Sequence, residues 1–333
     1  MAGTGATIVA EPIAIGLEAV TSFTIGPGGR LYYVERTTGE VRLFDPGDGS
    51  DSLIIDLPSS AQFAITLHPQ YPAMPYIYVF GKRNSSTGVK DQLFRISTAG
   101  EVGVSFTSLL SVASGADHHG ARLLFGPDGK LWLTIGDEDR PADAQKIGSL
   151  AGKLLRMTAA GGVPAGNPFP GSRVYAYGLR NVFGFDFDPA TGLLWMSENG
   201  PECNDEVLRT LKGRNYGWGP SATCATPPLP PRNTNLDGPN VVLPKWYWPT
   251  TIGPTGAAFC SGCGLGSGVE GDLLVGDFNQ GTIHALTLTA DRLRVTDESP
   301  LYDHPQGVLG IEVGADGSIY FNDFGAIYRL TTG

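Results

Sequence analysis

One phrase recurs along this chain and constrains its fold more than any other feature. It is a glycine-bearing turn followed by a short strand of apolar and aromatic residues. It reads Gly26-Pro27-Gly28-Gly29-Arg30-Leu31-Tyr32-Tyr33-Val34, then Gly126-Pro127-Asp128-Gly129-Lys130-Leu131-Trp132-Leu133-Thr134. It returns as Asp188-Pro189-Ala190-Thr191-Gly192-Leu193-Leu194-Trp195-Met196 and as Gly314-Ala315-Asp316-Gly317-Ser318-Ile319-Tyr320-Phe321. Two looser copies are His68-Pro69-Gln70 running into Tyr76-Ile77-Tyr78-Val79, and Glu270-Gly271-Asp272-Leu273-Leu274-Val275. Gly-Gly and Asp-Gly supply the positive φ of hairpin turns, and aromatic and β-branched runs suit strands. Each phrase leads to a second strand, such as Gly39–Phe44 or Ala326–Leu330. About six turn-strand-turn-strand units predict an all-β chain, a six-bladed β-propeller with four-stranded blades. Ala6-Thr7-Ile8-Val9-Ala10 is the candidate strand that closes the ring beside the last blade, which removes an exposed edge. The competing architecture is a β-sandwich with accidental turn similarity.

Composition agrees with many turns. The 333 residues include 47 glycines and 25 prolines, about a fifth of the chain where average usage gives about 12%. Both residues weaken helix interiors. Charged residues are only 17% and hydrophobic ones 41%, so the chain has material for a core. We expect a single domain over residues 1–333, with Pro227-Pro228-Leu229-Pro230-Pro231 as a rigid loop inside it. The net charge of −10 argues against a nucleic-acid partner, which needs a clustered positive surface. No apolar run reaches the length of a membrane span.

Four cysteines, Cys203, Cys224, Cys260 and Cys263, allow three pairings. Cys260-Ser261-Gly262-Cys263 has neither a second CxxC nor a histidine pair nearby, which disfavours zinc. The expectation is a local disulfide there and a Cys203–Cys224 bridge, hence an oxidising compartment.

Chemistry concentrates in two stretches. Asp117-His118-His119-Gly120-Ala121-Arg122 holds two of the five histidines and enters the clearest repeat. Histidine titrates near neutral pH and is the usual general base. Gly136-Asp137-Glu138-Asp139 ends the following strand, where a carboxylate orients and charge-stabilises an imidazole. The second stretch, Ser197-Glu198-Asn199-Gly200-Pro201-Glu202-Cys203-Asn204-Asp205-Glu206, is the densest acidic run. Its carboxylates, Gly-Pro and Asn suit Ca²⁺, a hard cation that also takes backbone carbonyls. His68, His284 and His304 read as structural.

These stretches, with Ser149–Arg156, Tyr177-Gly178-Leu179-Arg180-Asn181, Gly213-Arg214-Asn215-Tyr216-Gly217-Trp218 and Trp248-Pro249-Thr250, resemble the soluble quinoprotein glucose/sorbosone and aldose sugar dehydrogenases. The resemblance runs from about the first repeat to Leu330. It implies a six-bladed propeller that uses pyrroloquinoline quinone (PQQ) and Ca²⁺ to oxidise an aldose at C1 to the lactone. It implies His118 as general base, Asp137 as its holder, and Arg180 and Asn181 at the quinone oxygens. It implies the carbonyls of Gly200 and Pro201 at the Ca²⁺ that also meets PQQ, Glu206 and Tyr216 at a second, structural calcium, and Trp248 and Thr250 in the pocket. The substrate is then a small-molecule sugar, the electron acceptor is unknown, and the protein is secreted or periplasmic.

The sequence departs from the family at the cofactor's carboxylates. An Arg-x-Arg-Asp is usual where Gly307-Val308-Leu309-Gly310 stands, so Gly307 and Leu309 replace both arginines. The family's pocket lysine is replaced near Phe278-Asn279-Gln280. Lys245, close to Trp248, is the candidate compensating cation. Burying three carboxylates unpaired is costly. Two alternatives therefore stand beside the dehydrogenase: a Ca²⁺-dependent, lactonase-like propeller hydrolase and a non-catalytic carbohydrate-binding propeller. Trp246, Tyr247 and Trp248 would stack a sugar at the funnel in all three.

Overall fold

A computed structural model of the chain describes residues 7–86, 88–222, 224 and 235–333; Pro227–Pro231 lies outside them. It contains 24 strands in six antiparallel four-stranded sheets. After β1 (Ile8–Ile15), blade 1 is β2 (Val20–Ile25), β3 (Leu31–Glu35), β4 (Glu40–Asp45) and β5 (Ser50–Asp56). Blade 2 is β6 (Ala61–Leu67), β7 (Tyr76–Ser85), β8 (Gly88–Ala99) and β9 (Val102–Ala113). Blade 3 is β10 (Gly120–Phe125), β11 (Leu131–Ile135), β12 (Lys153–Met157) and β13 (Val174–Tyr177), with a one-turn helix α1 (Pro141–Ala144) after β11. Blade 4 is β14 (Val182–Phe187), β15 (Leu194–Glu198), β16 (Asp205–Arg209) and β17 (Trp246–Trp248). Blade 5 is β18 (Pro254–Phe259), β19 (Leu273–Asp277), β20 (Thr282–Leu288) and β21 (Val295–Asp303). Blade 6 is β22 (Gly310–Val313), β23 (Ile319–Asn322) and β24 (Ala326–Thr332), completed by β1 against β24.

The architecture is a six-bladed β-propeller. The first strands of successive blades, β2, β6, β10, β14, β18 and β22, touch one another in order, and β22 returns to β2. The expected closing strand is present as β1, paired from Ile8↔Thr332 to Ile15↔Ala326. It is the outermost strand of blade 6, so the two ends of the chain share one sheet. Each of the six repeated phrases falls in the turn between a blade's first and second strands.

The reason for the ring is visible in the packing. Among the described residues the buried apolar side chains fall into six clusters, one at each junction between adjacent blades. Tyr78, Phe80 and Leu93 of blade 2 meet Leu123, Leu133 and Leu155 of blade 3. Phe23, Leu31 and Tyr33 of blade 1 meet Ile327 of blade 6. A twisted sheet buries its faces only against its neighbours, so no blade is stable without two of them. The axis is crossed by a buried ion pair, Arg122 on β10 to Glu312 on β22. Both are under 8% exposed.

One irregularity recurs. The pairing of first and second strands slips between Val20 and Ser22, Gln62 and Ala64, Gly120 and Leu123, Val182 and Gly184, and Pro254 and Ala257. A β-bulge bends its strand and re-aims a side chain. Here five bulges sit at the same end of the ring. Both expected disulfides, Cys203–Cys224 and Cys260–Cys263, are formed. Among the described residues no helix is long and apolar enough to cross a membrane.

Candidate active site

The bulges build the site. Thr21, Phe63, Gly120, Phe183 and Thr255, from five bulged starts, turn into one cavity of about 370 Å³ at that end of the ring. Loops after the second strands complete it with Arg36, Asn199, Phe278 and Phe324, and Leu309 enters from the start of blade 6. Asp117, His118 and His119 form the side next to Asn181.

His118 lies in this wall with φ +57°. The close turn is possible because Gly136 stands opposite: a Cβ there would lie 1.9 Å from the His118 carbonyl oxygen. His118 Nδ1 is 2.8 Å from Asp137 Oδ1 and 3.4 Å from Asp139 Oδ1. Asp137 is 1% exposed. It also accepts the Trp218 indole N–H at 2.7 Å and the Asp139 backbone N–H at 3.1 Å. With Oδ1 placed to accept from Nδ1, Asp137 fixes the imidazole as the Nδ1–H tautomer. Nε2 is then the nitrogen left for a ligand.

Beside it, Asn181 Oδ1 accepts the Gly120 N–H at 2.9 Å, and Asn181 Nδ2 donates to Asn199 Oδ1 at 2.7 Å. Arg180 stacks over Trp218 at 5.4 Å and donates through Nη1 to the Asn199 carbonyl at 3.2 Å. Its Nε is buried with no partner. Burial pushes this guanidinium below its usual range, against the pull of Asp137 and Glu198. A desolvated cation with an idle N–H is a place for an acceptor atom.

The acidic loop sits next to this wall. Asp205, 1% exposed, accepts the N–H of Gly200 at 2.6 Å, of Ile252 at 2.7 Å and of Gly253 at 2.8 Å. Both of its oxygens are spent on holding the loop, and Cys203–Cys224 ties the same loop covalently. Glu206, buried on β16, accepts from Asn235 at 3.2 Å. The Tyr216 hydroxyl donates to the Arg209 carbonyl and accepts the Leu211 N–H, each at 2.8 Å.

Three expected pocket residues do not line the cavity. Trp248 is 8% exposed and packs with Trp195, Val207 and Phe259 in the core between blades 4 and 5. Thr250 is exposed. Lys245 lines a separate groove at the blade periphery with Trp246, Tyr247 and Arg294. The Trp246–Trp248 run reads like a pocket segment, but it is the outermost strand of its blade, far out in the order from the first strand. Neither sugar stacking by this run nor a compensating charge from Lys245 is available at the funnel. The funnel's aromatics are the phenylalanines, and Arg36 is the one cation among the described residues lining the cavity. Nothing marked Arg36 in the sequence; it follows an ordinary strand. At Gly307 a Cβ would lie 2.3 Å from the Phe278 carbonyl oxygen, so no arginine fits there without moving that strand end. Leu309 is 5% exposed.

The remaining histidines do not line the cavity. His284 bonds Glu298 at 2.5 Å, His304 bonds Asp323 at 2.9 Å, and His68 accepts the Gln70 N–H.

The profile of the Glucose / Sorbosone dehydrogenase family matches residues 17–329. Aldose sugar dehydrogenase YliI of Escherichia coli is 25% identical over 95% of this chain and 90% of its own. Quinoprotein glucose dehydrogenase B of Acinetobacter calcoaceticus is 31% identical over 58% of this chain and 48% of its own. Among solved structures, a putative oxidoreductase (glucose dehydrogenase) of Thermus thermophilus superposes with TM-score 0.83 at 30% identity, covering 97% of this chain and 99% of its own. The PQQ-bound aldose sugar dehydrogenase of Streptomyces coelicolor superposes with TM-score 0.82 at 24% identity, covering 98% of both chains. With nearly the whole ring matched, this chain belongs to the Glucose / Sorbosone dehydrogenase family.

Proposed function

We propose that this chain oxidises the C1 hydroxyl of an aldose to the lactone, using PQQ with Ca²⁺ and His118 as the general base. The observation that carries the reading is the His118–Asp137–Trp218 chain opening onto a cavity whose next wall is Asn181 and Asn199, with Arg180 bonded to Asn199 behind them.

The residues present fit the group. The amides of Asn181 and Asn199, with Arg180 bonded behind Asn199, suit the quinone oxygens, and the phenylalanines suit the faces of a flat ring system. Phe278 and Leu309 leave the carboxylate end with less charge than the family usually provides, and Arg36 is the cation that offsets it. The Gly200 and Pro201 carbonyls would hold Ca²⁺, in a loop already fixed by Asp205. When bound, PQQ supplies a two-electron acceptor for the hydride leaving C1, and Ca²⁺ polarises the accepting carbonyl.

The chain's own residues do the rest. His118 Nε2 takes the C1 hydroxyl proton. Asp137 holds the ring in the tautomer that leaves Nε2 bare, and stabilises the imidazolium that forms. Trp218 fixes Asp137. Phe63, Phe183 and Phe324 exclude water and give the sugar's apolar faces a surface. The disulfides suit a secreted or periplasmic setting.

Titration of chelator-treated protein with PQQ and Ca²⁺, followed by its absorption and fluorescence, tests this. Saturable one-to-one binding that needs Ca²⁺, with aldose turnover lost in His118→Ala but binding kept, is the expected result. Lack of binding, or turnover that survives the substitution, overturns it. A lactonase-like enzyme would instead hydrolyse lactone without PQQ, and a binding module would keep its sugar affinity with no turnover.

A further inference from the structure

Directly behind the His118 wall lies a second group of chemistry-bearing side chains that the proposed reaction does not use. We propose that Asp91, His119 and Glu138 form a binding site for a divalent first-row transition-metal ion of the Zn²⁺ or Mn²⁺ type, distinct from the calcium positions.

The donors come from three separate segments: Asp91 from the first half of β8, His119 from the loop entering β10, and Glu138 from the loop leaving β11. One ligand atom of each lies within 4.8 Å of the others. His119 Nδ1 is 2.7 Å from Asp91 Oδ2 and 3.1 Å from Glu138 Oε2. An ion about 2.1 Å from a nitrogen and an oxygen separates those atoms by about 3.0 Å at right angles and about 3.4 Å at tetrahedral ones. The observed 2.7 and 3.1 Å lie near the first value and a few tenths short of the second.

A second observation points to a missing ligand. Asp91 and Glu138 are 0% and 1% exposed, and each has its other oxygen, Asp91 Oδ1 and Glu138 Oε1, buried with no hydrogen-bond partner. Buried carboxylate oxygens are ordinarily paired, and leaving two orphaned beside one imidazole is costly. An ion accepts both lone-pair sets at once. The ligands are held from outside: Gly115 N–H donates to Glu138 Oε2 at 2.7 Å, and the His119 ring stacks on Phe63 at 4.6 Å and 7°. Such supporting contacts fix ligand orientation. An entry path exists, because His119 and Phe63 line the cavity.

The donor set decides the class. One imidazole and two carboxylates suit Zn²⁺, Mn²⁺ or Fe²⁺, whereas Ca²⁺ takes oxygen ligands only. His119 and Glu138 adjoin His118 and Asp137, so an ion here would stiffen the backbone that carries the proposed base.

The inference stands apart from the PQQ reading and is tested without PQQ. Metal-free protein is titrated with Zn²⁺ by calorimetry, and with Co²⁺ as a visible-absorbing stand-in for Zn²⁺. Expected are one Zn²⁺ per chain below about 10 μM, Co²⁺ d–d bands with a nitrogen ligand, and both weakened at least 30-fold in Glu138→Gln. The conservative Asp91→Asn should behave the same, and a near-native circular dichroism spectrum of either variant keeps the comparison valid should His119→Ala not fold. No Zn²⁺ or Co²⁺ binding below 1 mM, or binding unchanged in both conservative variants, overturns the proposal.

Discussion

Asp137→Asn is the perturbation whose outcome the geometry predicts most closely. The carboxylate accepts three N–H groups, two on Oδ1 from His118 and Asp139, one on Oδ2 from Trp218. An asparagine offers an acceptor on one side and a donor on the other. With its oxygen toward His118, the amide N–H₂ faces the indole N–H of a tryptophan only 6% exposed, leaving a buried donor unmet at about 1–3 kcal/mol. With its oxygen toward Trp218, the amide donates to His118 Nδ1 and opposes only the Asp139 N–H, in a loop whose side chain is exposed. The second arrangement costs less and wins. It forces the proton of His118 onto Nε2, which can then no longer accept one. The same exchange in a serine-hydrolase triad lowers turnover about 10⁴-fold, and we expect a loss of about 10³ to 10⁴ here, with about 1–2 kcal/mol of stability. Dye-coupled aldose oxidation after loading with PQQ and Ca²⁺ gives the rate; nitrogen NMR of labelled histidine gives the tautomer. A variant with an Nε2–H tautomer and full activity would refute the assignment of His118 as base. So would a large rate loss with the tautomer unchanged.

Arg36→Gln should weaken PQQ binding about 10-fold to 100-fold by equilibrium titration, because it removes the cavity's cation; an unchanged constant would remove Arg36 from the site. Glu312→Gln leaves the buried Arg122 with only the neighbouring Asp186 as a counter-charge, and should cost about 3 kcal/mol in urea unfolding. The paired replacement Arg122→Met with Glu312→Leu should recover most of that loss. Arg292 reaches from blade 5 to Asp188 of blade 4 with two hydrogen bonds of 3.0 and 3.1 Å. Burial alone would raise the Asp188 carboxyl, yet bonds from Arg292 and Thr191 hold it below the usual carboxylate range. Its contribution is therefore present above the unfolded value near 4 and is lost as pH falls through the lower folded value. Arg292→Ala should cost about 2 kcal/mol at pH 7, and that deficit should shrink toward pH 2 in thermal melts; a deficit independent of pH would contradict it.

The ring was readable because its cause is local. Five of the six blades carry glycine in the turn between their first two strands, and a turn at Gly126–Lys130 announces itself in sequence through φ and propensity alone. The His118–Asp137 pairing was readable because strand β11 sets the two segments opposite each other after one hairpin. The rest of the cavity depends on which blades face one another. Thr21, Phe63 and Phe183 point inward through bulges, and a bulge shifts register by one residue without changing composition. Arg36 and Asn199 follow ordinary strands. Trp248 misled for the complementary reason: an aromatic run marks burial, but only the strand order decides between core and funnel. Asp91 sits in a long hairpin strand, with no sign in its neighbours that His119 would come to rest against it.

The most direct measurement is a single turnover of the PQQ-loaded, Ca²⁺-loaded protein with an aldose carrying deuterium at C1, followed by the cofactor's absorption without oxygen. One equivalent of sugar should be converted to lactone per chain, slowed several-fold by the deuterium and abolished by His118→Ala. Absence of any absorption change with sugar, or a rate indifferent both to C1 deuterium and to His118, would contradict it.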